Sequence, residues 1–427
     1  MNLLYNAAIA LYGGTARLCS LHSPKVRAMI KGQQQTLARL RYFRKNMAPE
    51  GFDAWFHAAS LGEFEQARPL IEALLEHRPD AKVLLSFFSP SGYQVRCNYD
   101  PRVAVVYLPF DLPENASAFL DAAAPKTAVF IKYEFWGNYL SEIHRRGIPL
   151  YLVSAIFRPG QIFFRPWGGM FRDMLKKYRR IYVQDEASRE LLSGIGINTV
   201  EVIGDTRFDR VEAVRNQAHP VPQIDTFLSL SQHGPVVVAG SSWPQDEQMY
   251  IPWLHKHSEV RAIIAPHQFD KQRLTELSGH LGADHTMLLS EFTKLCHAAP
   301  ERARKISQDN LRYIIVDSFG LLSTLYRYGD FAYVGGGFGA GIHNINEAAV
   351  YGIPVIFGPR HKKFNEARHL IERGAGFCIR NANDFERIAD DFVEHPDKMR
   401  TCGEISRAYI LSSLGATAKA MKGIFGI

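Results

Sequence analysis

The chain has 427 residues, more than one ordinary domain takes and enough for two with separate cores. Its composition, 46% hydrophobic and 22% charged, is that of a folded globular chain and excludes a disordered or low-complexity one. The net charge of +7 is localised: eight of the 50 Lys and Arg, and none of the 43 Asp and Glu, lie in residues 1–49, leaving 42 basic against 43 acidic elsewhere. That balance excludes a basic nucleic-acid-binding face spread over the folded domains.

The first apolar run, "LLYNAAIALY" (3–12), lacks the basic start of a signal peptide and is short for a membrane span. Followed by basic residues, it reads as a monotopic segment lying in a membrane interface, or as a helix packed on the protein itself. The five cysteines are scattered, with no CxxC or Cys/His ligand spacing, so neither a disulfide framework nor a structural zinc is expected.

Apolar β-branched runs then alternate with helical patterns. Strands are expected at 54–60, 82–88, 103–109, 127–133, 149–155, 180–185 and 200–205, and a second set at 235–241, 261–266, 313–318, 331–337, 354–359 and 376–380. Continuous apolar strands separated by helices mean parallel sheets covered on both faces. "RNQAHPVPQID" (215–225) is polar with two prolines and reads as a linker. The expected layout is a basic membrane-contact segment (1–49), a Rossmann-like domain (50–214), the linker, a second Rossmann-like domain (226–400), and a C-terminal helix (401–427) able to pack back across the hinge. The two doubly wound domains would face each other across a cleft, with ligands outside the carboxyl ends of the strands.

In the first domain "HAASLGEFEQ" (57–66) follows the first strand, and Ser60-Leu61-Gly62-Glu63 matches the capping box. Glu63 then either caps a helix as an anion favoured by the helix dipole or, with Gly62 leaving room beside it, takes a proton from a ligand. "FIKYEFWGNYL" (130–140) places Lys132 and Glu134 after another strand. "FRPGQIFFRPWGGMFR" (157–172) sets five aromatics among three arginines, which suits an amphiphilic ligand with phosphates; Arg158 and Arg165 are the candidates. "VIGDTRFDRV" (202–211) offers Arg207, for an anionic ligand or for a salt bridge.

In the second domain "VGGGFGAGIHNINEA" (334–348) has five glycines in seven residues, then His343 and Asn344, and a helix expected near Asn344 with Glu347 in its first turn. Glycines let a phosphate approach the backbone, and an acidic residue can bind a ribose diol. "VAGSSWPQDE" (238–247) offers Ser241 and Ser242, and "IIAPHQFD" (263–270) offers His267.

Taken together and in this order, "FHAASLGEFEQARPLI", "KYEFWGNYL", "GDTRFDR", "GSSWPQDE" and "GGGFGAGIHNINEA" resemble the 3-deoxy-D-manno-octulosonic acid (Kdo) transferases of lipopolysaccharide assembly. The resemblance covers nearly the whole chain. It implies a GT-B fold, CMP-Kdo as donor substrate with no cofactor and no metal, a lipid A precursor as acceptor, inverting transfer, and the cytoplasmic face of the inner membrane. By motif it implies Glu63 and Glu134 as catalytic carboxylates, with Ser60 and Gly62 on the acceptor side. Ser241, Gly336, Gly337, His343, Asn344 and Glu347 fall on the nucleotide site, with Ser242 and His267 beside them. The chain departs from the family pattern at Lys132, Tyr133, Phe135, Asp205, Arg207, Ile342 and Ala348. Two other readings fit the pattern of residues: a sugar-nucleotide epimerase of the same fold, and a non-catalytic, membrane-attached nucleotide-sugar binding protein.

Overall fold

The computed structural model describes residues 3–229 and 234–427; Met1 and Asn2 of the expected membrane-contact segment and residues 230–233 of the expected second domain lie outside them. The chain forms two compact units. One comprises the chain up to Arg210 together with Ser413–Ile427, and the other comprises Val211–Ser412.

In the first unit, β1 (Ala54–Ala58), β2 (Val83–Phe87), β3 (Val103–Tyr107), β4 (Ala128–Ile131), β5 (Leu150–Ala155), β6 (Arg180–Val183) and β7 (Val200–Val202) form one sheet of order β3-β2-β1-β4-β5-β6-β7. Every pairing is parallel. Alternate residues serve opposite faces. Trp55, Leu84, Val106 and Phe130 enter one core, while Phe56, Leu85, Val105 and Val129 enter the other. All seven expected strands are present, trimmed at their polar ends.

Two helices precede the sheet, α1 (Leu3–Cys19) and α2 (Pro24–Asn46), and α3 (Leu61–His77) follows β1. Ala16 of α1 and Met29 of α2 form a small core with Tyr107 and Phe110. Tyr5 pins α1 further: its hydroxyl donates to Asp111 at 2.6 Å. The outward side of α1 carries Leu3 (85% exposed), Leu4, Leu11 and Leu18. Among the described residues no helix is long and apolar enough to cross a membrane.

In the second unit, β8 (Val236–Ser242), β9 (Arg261–Pro266), β10 (Thr286–Leu288), β11 (Tyr313–Ile315), β12 (Phe331–Val334), β13 (Val355–Phe357) and β14 (Gly376–Cys378) form a second parallel sheet, order β10-β11-β9-β8-β12-β13-β14. β10 was not expected. It is an edge strand of three half-buried residues, and its short apolar run, Met287 to Leu289, passes directly into the helix Leu289–Ala298.

The segment 215–225, expected as a linker, is mostly helical. It holds the end of the helix Thr206–Gln217, a short break, and the start of the helix Pro222–Leu228. The C-terminal stretch divides as well. The helix Pro396–Ser412 belongs to the second unit, and the helix Ala416–Phe425 to the first, where Ala416, Ala420 and Met421 join the core of Phe56 and Ile71.

Candidate functional site

In each sheet the chain runs outward in both directions from one gap between strands, β1/β4 in the first and β8/β12 in the second. Such switch points open a crevice beyond the carboxyl ends of the strands, where ligands of doubly wound sheets bind. Each gap collects expected residues. Ser60, Gly62 and Glu63 follow β1, and Glu134 follows β4. Ser241 and Ser242 end β8, and the glycine loop follows β12. Among the described residues, two of the four left-handed non-glycine ones also mark these strands, Lys132 (φ 67) just past β4 and Ser241 (φ 53) at the end of β8. A left-handed non-glycine residue is strained, and such strain concentrates where a site needs a fixed backbone.

At the β1/β4 gap Glu63 is half-buried in the first turn of α3. The expected capping box does not form. Ser60 is extended (φ −139, ψ 179) and its side chain caps no helix amide. Its hydroxyl donates to the Glu63 carboxylate, so the two polar side chains satisfy each other. A Cβ on Gly62 would meet only Ser60 Oγ, at 3.7 Å, so no packing requires this glycine. Tyr133 shares the neighbourhood. Burial pushes its hydroxyl pKa up, Arg158 beside it opposes that, and Asp185 and Glu63 add to the rise. Sequence reasoning gave no role to Tyr133, which lies inside "KYEFWGNYL", or to Asp185, which carries no motif signal.

Glu134 is buried; its Oε2 accepts from Trp136 Nε1 at 2.5 Å and faces His57 Nε2 at 3.0 Å, and Trp136 Nε1 also lies 3.0 Å from that Nε2. His57, wholly buried on β1, turns its Nδ1 to Ser86 Oγ at 2.8 Å, and Trp55 Nε1 donates to the same Oγ at 2.8 Å. His57 was missed because it stands inside an apolar run.

The arginines separate. Arg158 and Arg165 are exposed, as is Trp167 (73%). The other aromatics of that loop turn inward, with Phe157 and Phe163 in the core and Phe164 and Phe171 against it. Arg207, expected among the ligand-binding arginines, is instead committed to Asp205: its Nε and Nη2 lie 3.0 and 2.8 Å from Oδ2. Asp205 is buried, which raises its pKa, but the Arg207 charge and hydrogen bonds outweigh that and hold it below the usual range. Asp209 accepts from the amides of Gly415 and Thr417, both at 2.7 Å, and so caps the helix Ala416–Phe425. "GDTRFD" is therefore a fold-making knot of the first unit.

At the β8/β12 gap the glycines serve packing first. A Cβ on Gly335 would lie 2.4 Å from Ser241 O, and one on Gly337 would lie 2.5 Å from Gly358 Cα. Gly336 has φ 91, and its Cβ would lie 2.4 Å from Gly341 O. The loop is laced to β8 by Gly335 N–H donating to Gly240 O (2.9 Å). Asp246 Oδ2 accepts from the amides of Gly336 and Trp243, both at 2.9 Å. Asp246 thus holds both lips of the gap, a role that "WPQDE" signals only as a helix start.

The helix expected from Asn344 is a single turn, Asn346–Ala349, stopped short by Gly352 (φ 75) and Pro354. Glu347 accepts from Asn344 Nδ2 (3.1 Å) and Ser323 Oγ (2.9 Å). Ser242 faces inward: its hydroxyl donates to Glu247 (3.3 Å) and accepts from Tyr250 (3.2 Å), which leaves Ser241 as the half-buried serine of the pair. His267 stacks between Trp243 (ring centroids 4.4 Å apart) and His343 (4.7 Å). Burial lowers the pKa of both histidines, that of His343 to about 4 with His267 adding to the drop, so both are neutral at pH 7. The basic run Arg360-His361-Lys362-Lys363 after β13 was not singled out from the sequence, and Arg360 donates to Gly339 O in the glycine loop.

The family model of 3-deoxy-D-manno-octulosonic-acid transferase (kdotransferase) matches residues 31–210, from within α2 to just past β7. A curated relative, the 3-deoxy-D-manno-octulosonic acid transferase of Bordetella pertussis, is 26% identical over 417 residues and covers 92% of each chain. Among solved structures, UDP-GlcNAc 2-epimerase from Neisseria meningitidis bound to UDP-GlcNAc matches with a TM-score of 0.60 at 13% identity, over 88% of this chain and 100% of that one. MurG of Acinetobacter baumannii matches with a TM-score of 0.54 at 12% identity, over 88% and 99%. At these identities the two structures show a shared fold.

Proposed function

We propose that this chain is an enzyme of the Kdo transferase family, glycosyltransferases of GT-B fold, and that it moves Kdo from CMP-Kdo to a lipid A precursor (lipid IVA) with inversion and without a metal. The observation that carries the reading is Glu63: a half-buried carboxylate at the β1/β4 switch point, held through Ser60, next to a glycine that no packing requires.

In this reading the donor's phosphate lies along the glycine loop near Ser241, Gly336, Gly337 and Asn344, with Glu347 on the ribose. With His267 and His343 neutral, backbone dipoles and the Arg360–Lys363 run supply the attraction for the anion. Glu63 removes the proton from a hydroxyl of the acceptor as its oxygen attacks the anomeric carbon of Kdo. The bond to CMP breaks as the new glycosidic bond forms, and CMP leaves as an anion steadied by preorganised N–H groups. Glu134 orients the acceptor by accepting from its hydroxyls. The exposed Arg158 and Arg165 bind acceptor phosphates or the Kdo carboxylate, and Trp167 lies along an acyl chain. The outward leucines of α1 and the acid-free α2 rest on the cytoplasmic face of the inner membrane.

Incubation with CMP-Kdo, with and without lipid IVA, tests the reading. Lipid-dependent CMP release with a mass gain on the lipid equal to whole Kdo units is expected. Conversion of a sugar nucleotide in the absence of lipid would overturn it in favour of epimerisation. Binding without turnover would overturn it in favour of a non-catalytic protein.

A further inference from the structure

Among the side chains at the β1/β4 gap, the buried histidine has no part in the reaction just described. A strand buried on both faces ordinarily carries apolar residues. β1 reads Ala-Trp-Phe-His-Ala, and all five residues are buried. A polar ring there is tolerated only when its nitrogens are bonded, and both ring nitrogens of His57 are engaged. The register sets Ser86 of β2 on one side of it and Phe130 of β4 on the other. Nδ1 meets Ser86 Oγ at 2.8 Å and Ser86 O at 3.1 Å, and Trp55 Nε1 closes the chain onto that Oγ. Phe130 packs edge-on to the imidazole, with ring centroids 5.2 Å apart and planes at 61°. The ring therefore cannot turn without breaking bonds on its buried side. Its one remaining polar atom, Nε2, points past the end of β4 to Glu134 Oε2 at 3.0 Å. Trp136 Nε1 also lies 3.0 Å from Nε2, but its N–H has the shorter contact to Oε2, at 2.5 Å. With a carboxylate oxygen opposite Nε2 we assign the ring hydrogen to Nε2, and Nδ1 then accepts from the Ser86 hydroxyl.

Trp136 Nε1 donates to the same oxygen at 2.5 Å. Both donors fall on Oε2, and among the described residues Oε1 receives none. A carboxylate gripped at one oxygen by two rings, each fixed by packing, presents the other oxygen in a set direction. Trp136 is itself packed on Phe88 (ring centroids 4.8 Å apart), and Tyr178 Oη donates to the Glu134 carbonyl at 2.7 Å, which fixes the backbone at the same point.

We infer that His57, backed by Ser86 and Trp55, is a positioning residue that fixes Glu134 Oε2 so that Oε1 meets the acceptor in one orientation. The inference rests on the reading of Glu134 as an acceptor-site carboxylate. A misplacement of about 1 Å at a reacting group costs about 100-fold in rate, and that is the loss expected when the grip is released.

The test is lipid-dependent CMP release by the full chain, for His57→Leu, His57→Gln, Ser86→Ala, Glu134→Gln and the doubles His57→Leu/Glu134→Gln and Ser86→Ala/Glu134→Gln, each with a thermal unfolding curve. His57→Leu is expected to lose about 100-fold. His57→Gln, whose amide N–H reaches the same oxygen, recovers most of that loss, and Ser86→Ala falls between the two. Each double variant is no slower than Glu134→Gln alone, because the grip has nothing left to position. Should His57→Leu fail to fold, His57→Gln and the Ser86→Ala pair carry the same comparison. Wild-type rates for the His57 and Ser86 variants beside a slow Glu134→Gln would overturn this inference alone, as would losses that multiply in the doubles. Wild-type rates for Glu134→Gln would overturn the reading of Glu134 and the inference with it.

Discussion

At the β1/β4 gap the chain gathers carboxylates, a tyrosine and the exposed Arg158, with a buried chain of hydrogen bonds behind them. At the β8/β12 gap it gathers glycines, uncharged rings and backbone amides, with one buried aspartate tying the lips together. The two gaps have the same topology. They differ in what holds them: the first is fixed by side chains gripping side chains, the second by backbone against backbone. A group that moves a proton needs a defined side chain, whereas an anion leaving with its charge needs dipoles that do not reorganise. In the proposed reading this contrast matches chemistry at the first gap and anion holding at the second.

Breaking either kind of support sharpens that comparison. The largest stability effect is expected at the Asp205–Arg207 knot. Arg207→Met leaves a buried carboxylate without its cation and is expected to cost about 3–5 kcal/mol by urea unfolding. Asp205→Asn in the same chain recovers part of that cost. An Arg207→Met variant of full stability and low acceptor affinity would return Arg207 to the ligand site.

The second gap carries a pH dependence of defined sign. The unfolded chain takes up a proton at His343 near pH 6.5, and the folded chain takes it up only near 4, because burial and His267 disfavour the cation. Stability is therefore fully present above about pH 6.5 and is lost as pH falls towards 4, on the order of 3 kcal/mol in all. Urea midpoints measured across that window are expected to fall in the wild type and to flatten in His343→Gln.

Gly337→Ala places a methyl where Gly358 already sits and is expected to cost about 1–3 kcal/mol. Gly62→Ala meets no such neighbour and leaves the urea midpoint unchanged while slowing transfer. Equal losses of stability at both glycines would erase the distinction between the gaps. The smallest effect is the removal of divalent metal: with EDTA present, the transfer rate is expected to be unchanged.

Much of this architecture is legible in the sequence because the strands of both sheets are buried on both faces and so read as continuous apolar runs. Of the two half-buried edge strands of three residues, β7 was read because Val200, Val202 and Ile203 extend its apolar pattern, whereas β10 runs straight into the helix that starts at Leu289. The placement of Glu63, Glu134 and the glycine loop at strand ends was also legible, since motif and strand end coincide in the chain. Partnerships across long loops were not. Glu134 lies 77 residues from His57, and Asp209 lies 206 residues from Gly415. Local spacing misled at Ser60, whose S-x-x-E pattern makes a side-chain pair rather than a cap, and at Arg207, whose nearest carboxylate was two residues away. The glycines at 335–337 were read for ligand access, but the close approach they permit is first to their own chain.

The central claim is that the Glu63 carboxylate is the base for transfer, and lipid-dependent CMP release by Glu63→Gln tests it most directly, with unfolding measured alongside. The glutamine keeps a hydrogen-bond partner for Ser60 but cannot take the proton. The expected result is a wild-type unfolding curve with a rate lower by on the order of 100- to 10,000-fold. A folded Glu63→Gln chain that transfers Kdo at close to the wild-type rate would contradict the account.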